Sequence, residues 1–355
     1  MGLISPFAPK AATNGLKAME KLTELLNRKY QSLQVRSGNH LAHILLSTLV
    51  RIPPPRQFAV RNILFKRFPS LFAGNPIYQE WVKANQYFVV NRHPQIEMID
   101  LTNTPASQMP SEKKIAIQIH IFYPELAEEL AHYLKDFPTS FDLLISTPDT
   151  SNEESIRISF ANLPNLRILH LCVTPNRGRD LAPFLTCFGK QLLEYDYVAH
   201  LHTKKSTGTN SIGDAWRQYL YQGLLDCSNE RMPKILGLLD RYGLIYPQKF
   251  PLIDVQNCQW RDNYARANAL FGTLGMPAPE DGFIEFPVGT MFWANVNALK
   301  PILEYPLAVE DFEPETGQTD NTLMHALERS FTHIALSQGY RIGILPYPSS
   351  ISYYP

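Results

Sequence analysis

The sequence predicts an α/β protein: a mainly parallel sheet flanked by helices, preceded by a helical N-terminal segment. Three observations carry this. From Lys114 onward, short apolar, β-branched runs alternate with amphipathic ones, the pattern of βαβ units. The runs are apolar almost throughout rather than every second residue, as strands buried on both faces require. Before that point the chain reads as helix, with Leu16, Met19, Leu22, Leu25 and Leu26 near one face of residues 14–35.

Taken in order, a second apolar and basic segment covers residues 39–51 and stops at Pro53-Pro54-Pro55, because consecutive prolines cannot continue a helix. Next comes RNILFKRFPSLF, where basic and aromatic residues interleave. That composition suits the headgroup region of an anionic membrane and equally suits packing against a neighbour. A polar linker, residues 102–113, then divides the chain into a basic segment, 1–110, and an α/β domain, 111–355. Within the domain, strands are expected at 115–122 (IAIQIHIF), 141–146 (FDLLIS), 166–173 (LRILHLCV) and 197–202 (YVAHLH). Helices are expected at 124–134, with proline at its start, and at 152–162 and 181–193.

The composition, 45% hydrophobic and 19% charged over 355 residues, is that of a soluble globular protein. Net charge is zero but uneven: residues 1–90 hold twelve Lys or Arg against three Glu, leaving the remainder net acidic. Such a basic appendage meets either an anionic surface or the acidic domain of its own chain. Four dispersed cysteines, without Cys-x-x-Cys, exclude a zinc module and a disulfide framework. The start lacks a signal-peptide pattern, and the apolar stretch 41–50 is too short to span a bilayer. The expectation is therefore a cytoplasmic protein, at most peripheral on the inner face of the membrane through residues 1–110, with no nucleic-acid partner.

In parallel sheets, ligands bind beyond the carboxyl ends of the strands. There stand Phe122-Tyr123-Pro124-Glu125 after the first strand and Asn176-Arg177-Gly178-Arg179-Asp180 after the third. His200, His202, Lys204 and Lys205 stand at and after the fourth. Arginines grip phosphate oxygens in forked geometry and lysines add point charge. Two such clusters at strand ends favour an anion site over a surface ion pair. Neither is a GxxxxGK[ST] or GxGxxG loop, and neither GxSxG nor HExxH occurs.

The stretches HIFYPEL, PNRGRDLAPFL, YDYVAHLHTKKS, AWRQYL, FPVGTMFWAN and EDFEPETGQTDNTLMHALER resemble the rhamnan synthesis protein F family of bacterial polysaccharide biosynthesis. The resemblance runs from about residue 117 to 329, and the N-terminal 110 residues lie outside it. It implies a GT-A-like glycosyltransferase domain that builds rhamnose-containing cell-surface glycans. The implied donor is a nucleoside-diphosphate sugar, dTDP-L-rhamnose, and the acceptor a glycan or lipid-linked glycan.

GT-A enzymes usually hold a divalent metal with Asp-x-Asp after the fourth strand, where this chain has His200-Leu201-His202. Both imidazoles project to one side of a strand. Three readings follow. The histidines ligate manganese or a similar metal; or, protonated, they neutralise the diphosphate with Lys204 and Lys205; or one is a core residue. Arg217, Gly289 and His325 complete the expected donor site, with Arg217 alternatively pairing with an acid and His325 alternatively packing on the sheet. Phe292 and Trp293 are expected to fill the core. An inverting transfer needs a carboxylate base: Asp311 first, then Glu310 and Asp320, the last also a natural helix N-cap. The rival readings are a non-catalytic glycan or nucleotide-sugar binding subunit, and a membrane-surface scaffold.

Overall fold

The computed structural model describes residues 38–49, 54–90, 92–105, 113–203, 205, 212–251, 253–318 and 320–346. The expected helix at 14–35 and Lys204 lie outside them. The chain divides into two units, Met1–Gln79 and Glu80–Pro355.

In the first unit, α1 (Gly38–Leu49), α2 (Pro54–Arg67) and α3 (Pro69–Phe72) follow one another. The prolines that end the preceding segment also open the next helix, where a missing N–H is no loss. Phe65 and Phe72 are fully buried and stack edge-on with a centroid distance of 5.0 Å, and Tyr78 closes on Phe65 at 5.1 Å. The aromatics of RNILFKRFPSLF thus pack internally, while Lys66 and Arg67 stay exposed.

The helix α4 (Pro76–Asn85) spans the boundary in sequence, and the second unit continues with β1 (Ile96–Met98), β2 (Ile115–His120), β3 (Phe141–Thr147) and β4 (Leu166–Val173). Then come β5 (Tyr197–His202), β6 (Tyr242–Pro247), β7 (Phe292–Asn295) and β8 (Arg341–Leu345). They form one sheet in the order β1-β8-β6-β7-β5-β2-β3-β4. Every pairing is parallel except those of β7, which runs antiparallel to β5 and β6. β1 lies before the expected linker yet pairs with β8, so the sheet begins earlier than residue 111.

Helices cover both faces, which is why the strands read as continuous apolar runs. On one face α5 (Ala127–Leu134), α6 (Glu153–Phe160), α9 (Ile212–Leu225) and α10 (Arg231–Leu238) pack on Ile115, Ile117, Ile119, Leu143, Ile145, Leu201 and Trp293. The opposite face carries α7 (Leu181–Thr186), α8 (Gly189–Leu192), α11 (Tyr264–Thr273), α12 (Val296–Glu304) and α13 (Leu323–Ser337). They pack on the alternate residues Ala116, Leu144, Val198, Leu244, Phe292 and Ala294. Each fully buried Ile or Leu contributes roughly 1.5–3 kcal/mol. Phe292 and Trp293 are completely buried core residues, as expected.

Two features place the site. The chain builds β2, β3 and β4 outward in one direction, then returns to lay β5 on the other side of β2. The carboxyl ends of β2 and β5 therefore flank a topological switch point. Because β7 is antiparallel, the residues before it reach the same edge of the sheet.

Candidate functional site

A cleft of about 830 Å³ opens at this edge. Several of the loops that reach the edge supply its walls. His120, Phe122 and Tyr123 come from the end of β2, Asn176, Arg179 and Asp180 from beyond β4, and His202, Thr203 and Lys205 from β5. The turn before β7 gives Gly289 and Thr290, and the start of α13 gives His325, Glu328 and Arg329.

The backbone here is strained. Six non-glycine residues have positive φ among the described residues. Arg179 (φ 52°), Arg261 (φ 49°) and Thr290 (φ 61°) line the cleft, and Asn321 (φ 58°) follows cleft-lining Asp320. Such conformations cost about 1–3 kcal/mol each and gather where function holds them. In the loop after β4 the residue next to Arg179 must be glycine. Gly178 has φ +61°, and a Cβ there would lie 2.4 Å from the Phe312 ring. Only glycine lets the loop lie against the 309–314 turn.

The two arginines of that loop have different duties. Arg177 turns away from the cleft: its Nε donates to Phe312 O at 2.7 Å, pinning the acidic turn in place. Arg179 lines the cleft, with Nε donating to Glu315 at 3.2 Å and Nη2 to Gln318 O at 2.7 Å, and remains 43% exposed. Arg217 is not in the cleft wall. It sits between Glu129 (3.0 Å) and Asp214 (2.6 Å) with its side chain 7% exposed, the acid pairing that was its alternative reading.

The expected bases separate in the same way. Asp311 is exposed, lies outside the cleft lining, and uses its carboxylate to accept from Ala308 N at 2.8 Å within its own turn. Glu310, also exposed, is outside the lining as well. Asp320 does line the cleft. It accepts from Asn263 Nδ2 and lies 3.6 Å from Arg329 Nη2. The N-cap of α13 is Thr322 rather than Asp320. The Thr322 hydroxyl also meets His325 Nδ1 at 2.7 Å, and burial pushes the His325 pKa down.

Below the cleft, His200 and His202 do point to one face of β5, their rings 6.5 Å apart. Their register partners across β2 are Gln118 and His120, with Ser146 opposite His120 on β3. A buried polar ladder results. Ser146 Oγ lies 2.9 Å from His120 Nδ1 and 3.4 Å from Gln118 Nε2, and Gln118 Oε1 lies 2.5 Å from His200 Nδ1. His200 Nε2 meets Asp180 Oδ2 at 3.2 Å. Burial pushes His120 down to about 4 and also lowers His200, leaving both rings neutral near pH 7. Burial alone would raise the Asp180 carboxyl. The nearby His202 and the hydrogen bond from His200 outweigh it and hold the group well below the usual carboxylate range. His202 Nε2 donates to Gly289 O at 2.9 Å, and Gly289 N donates to Glu328 at 3.2 Å, so one glycine ties β5 to α13. Gly289 has φ +97°, and a Cβ on it would lie 2.9 Å from Trp216.

This donor set does not suit a divalent metal. Both nitrogens of completely buried His200 already have protein partners, and His202 Nε2 is committed to a carbonyl. Among the described residues no group of three or more His, Cys, Asp and Glu is placed to hold a metal ion. His200 is the core histidine of the third reading, and His202 reaches the cleft wall.

The sequence reading missed Glu328 and Arg329. Their signal was helical spacing, since residues three and four after His325 share its face. Arg329 is 7% exposed, donates to Gln259 O and His325 O, and lies over the Phe286 ring at 5.6 Å. His120 stood inside a quoted motif, but its role appears only through the register of β2 with β5.

No helix among the described residues is long and apolar enough to cross a membrane. Two curated relatives, each called uncharacterized protein WxcX, come from two strains of Xanthomonas campestris pv. campestris. Each is 29% identical over 248 residues, covering 67% of this chain and 34% of the relative. This chain thus spans about a third of the length of the curated relatives it matches. The description of rhamnan synthesis protein F matches residues 31–340, which extends the motif resemblance into the N-terminal region that it had left out. With most of its length matched, the chain belongs to the rhamnan synthesis protein F family, named for the making of a polysaccharide.

Proposed function

We propose that the protein is a GT-A-like glycosyltransferase whose cleft binds a nucleotide sugar and passes the sugar, rhamnose by family, to a glycan hydroxyl. The observation that carries this reading is the gathering of Arg179, Lys205 and Arg329 on one cleft at the switch point of the sheet. Loss of a diphosphate concentrates charge on the leaving group, and fixed cations facing it are what such a site needs. In this reading Arg179 and Lys205 hold the diphosphate, and Arg329, braced by two carbonyls, presents a charge that needs no reorganisation. His202, Gly289 and Glu328 keep the wall in register.

Asp320 replaces Asp311 as the base. It takes the proton of the acceptor hydroxyl while that oxygen bonds to the anomeric carbon, and the bond from that carbon to the diphosphate oxygen breaks from the opposite face. The nucleoside diphosphate leaves with the electron pair, giving inversion. The residues at Asp-x-Asp's place do not fit a metal, and no step here uses one.

Calorimetric titration with dTDP and dTDP-L-rhamnose, with and without chelator, tests the reading. Saturable binding that survives chelation and weakens roughly 10–100-fold in Arg179→Ala is expected, the range for a lost charged hydrogen bond. A folded sample that binds neither ligand would remove the reading. The replacement of Asp-x-Asp by histidines favours one second reading, a nucleotide-sugar binding subunit. That reading predicts binding without turnover.

A further inference from the structure

The buried ladder beneath the cleft has a direction, and the direction reaches the surface at His120. Asp180 is 7% exposed and its carboxylate can only accept hydrogen bonds. His200 Nε2, 3.2 Å away, must therefore carry the proton that it donates. The His200 ring is fully buried against Phe184 and Phe292, with centroids 4.4 and 5.4 Å away. A charged ring there would be poorly solvated, so His200 is neutral and its Nδ1 is bare. A bare nitrogen needs a donor. The atom 2.5 Å away is Gln118 Oε1, which cannot donate, but an amide's oxygen and nitrogen exchange places on a half-turn, and the half-turned Gln118 meets that need by presenting its NH₂. Its oxygen then faces Ser146 Oγ and accepts the hydroxyl proton. Ser146 Oγ, having donated, accepts from His120 Nδ1 at 2.9 Å.

We propose that the chain Asp180–His200–Gln118–Ser146 fixes His120 as the Nδ1–H tautomer and presents Nε2 to the cleft as a bare hydrogen-bond acceptor. His120 lines the cleft, and its Nδ1 is the ring nitrogen turned to the sheet. The cleft cations are donors suited to phosphate oxygens. An imidazole lone pair repels those oxygens and takes an O–H instead. His120 is therefore a positioning residue for a ligand hydroxyl, on the ribose or on the sugar. That last assignment rests on the nucleotide-sugar reading; the tautomer does not.

The test is a long-range ¹H–¹⁵N correlation on the full chain with ¹⁵N-labelled histidine, signals assigned by single His substitutions. Protonated and bare ring nitrogens resonate far apart. His120 is expected as pure Nδ1–H and His200 as pure Nε2–H. Asp180→Asn, whose amide can donate, should move His120 toward Nε2–H. Gln118→Leu should leave it a mixture of tautomers, with circular dichroism reporting that the fold is kept. His120 found as Nε2–H in the wild type, or unmoved in a folded Gln118→Leu protein, overturns the relay. For the ligand, dTDP and dTDP-L-rhamnose are added in turn. A shift of His120 Nε2 with dTDP marks a nucleoside hydroxyl, and one only with the sugar nucleotide marks a sugar hydroxyl. Bound ligand that shifts it in neither case overturns the hydroxyl assignment while leaving the tautomer result standing. Absence of binding instead counts against the nucleotide-sugar reading.

Discussion

Two acidic stretches that could supply a base lie within twenty residues of each other. Glu310 and Asp311 occupy an exposed turn that Arg177 anchors by its backbone carbonyls, and Asp311 spends its carboxylate on its own turn. Asp320 and Glu328 flank the start of α13, which carries them onto the cleft wall. The difference lies in what each carboxylate already binds. The first stretch closes on itself, whereas the second is braced by Asn263, Arg329 and the Gly289 turn while still facing the cavity. Motif order put Asp311 ahead of Asp320; the hydrogen bonds favour Asp320 instead.

Substitutions can break or sharpen that contrast. Asp320→Asn should lower release of dTDP from dTDP-L-rhamnose by about 10²–10⁴-fold, the range for losing a general base, with donor binding retained in calorimetry. Arg179→Ala should instead weaken donor binding, as above, and leave the thermal midpoint nearly unchanged. His120 predicts an acid effect. Its folded pKa of about 4 lies below the unfolded value, so the unfolded chain binds the proton first and stability falls as pH drops from about 6.5 toward 4. On the order of 3 kcal/mol of that loss should be missing in His120→Gln, read from urea unfolding across the range. Gly289→Ala should destabilise by roughly 1–3 kcal/mol, because Trp216 occupies the space and φ is positive. The smallest effect belongs to Asp311→Asn: under about 1 kcal/mol in unfolding, from a weakened turn bond, and unchanged turnover. A large turnover loss there would reverse the comparison.

The central strands were legible because burial on both faces leaves an unbroken apolar run, as in IAIQIH and FDLLIS. β6 (YGLIYP) and β8 (RIGIL) were not, since Gly243, Pro247 and Gly343 blunt the same signal. The strand-like stretch FPVGTMFWAN, with Gly289 expected in a turn, forms a strand only over Phe292–Asn295, because Gly289 and Thr290 turn with positive φ before it. Several of the strand-end residues line the cleft. Which side chain of a strand-end motif faces the cavity depends on contacts distant in sequence. Arg177 and Arg179 are alike in the sequence, and only Phe312 and Glu315 tell them apart. Glu129 likewise claims Arg217 from 88 residues away.

The most direct test of the cleft as the nucleotide-sugar site is to follow all histidine ring signals while dTDP-L-rhamnose is titrated into the full chain. His120, His202 and His325 line the cleft, whereas His132 and His170 lie outside its lining, on α5 and on the edge strand β4. The account predicts saturable shifts of the first three, with His132 and His170 unmoved. Saturable binding that moves His132 or His170 while leaving the cleft histidines unchanged would contradict it.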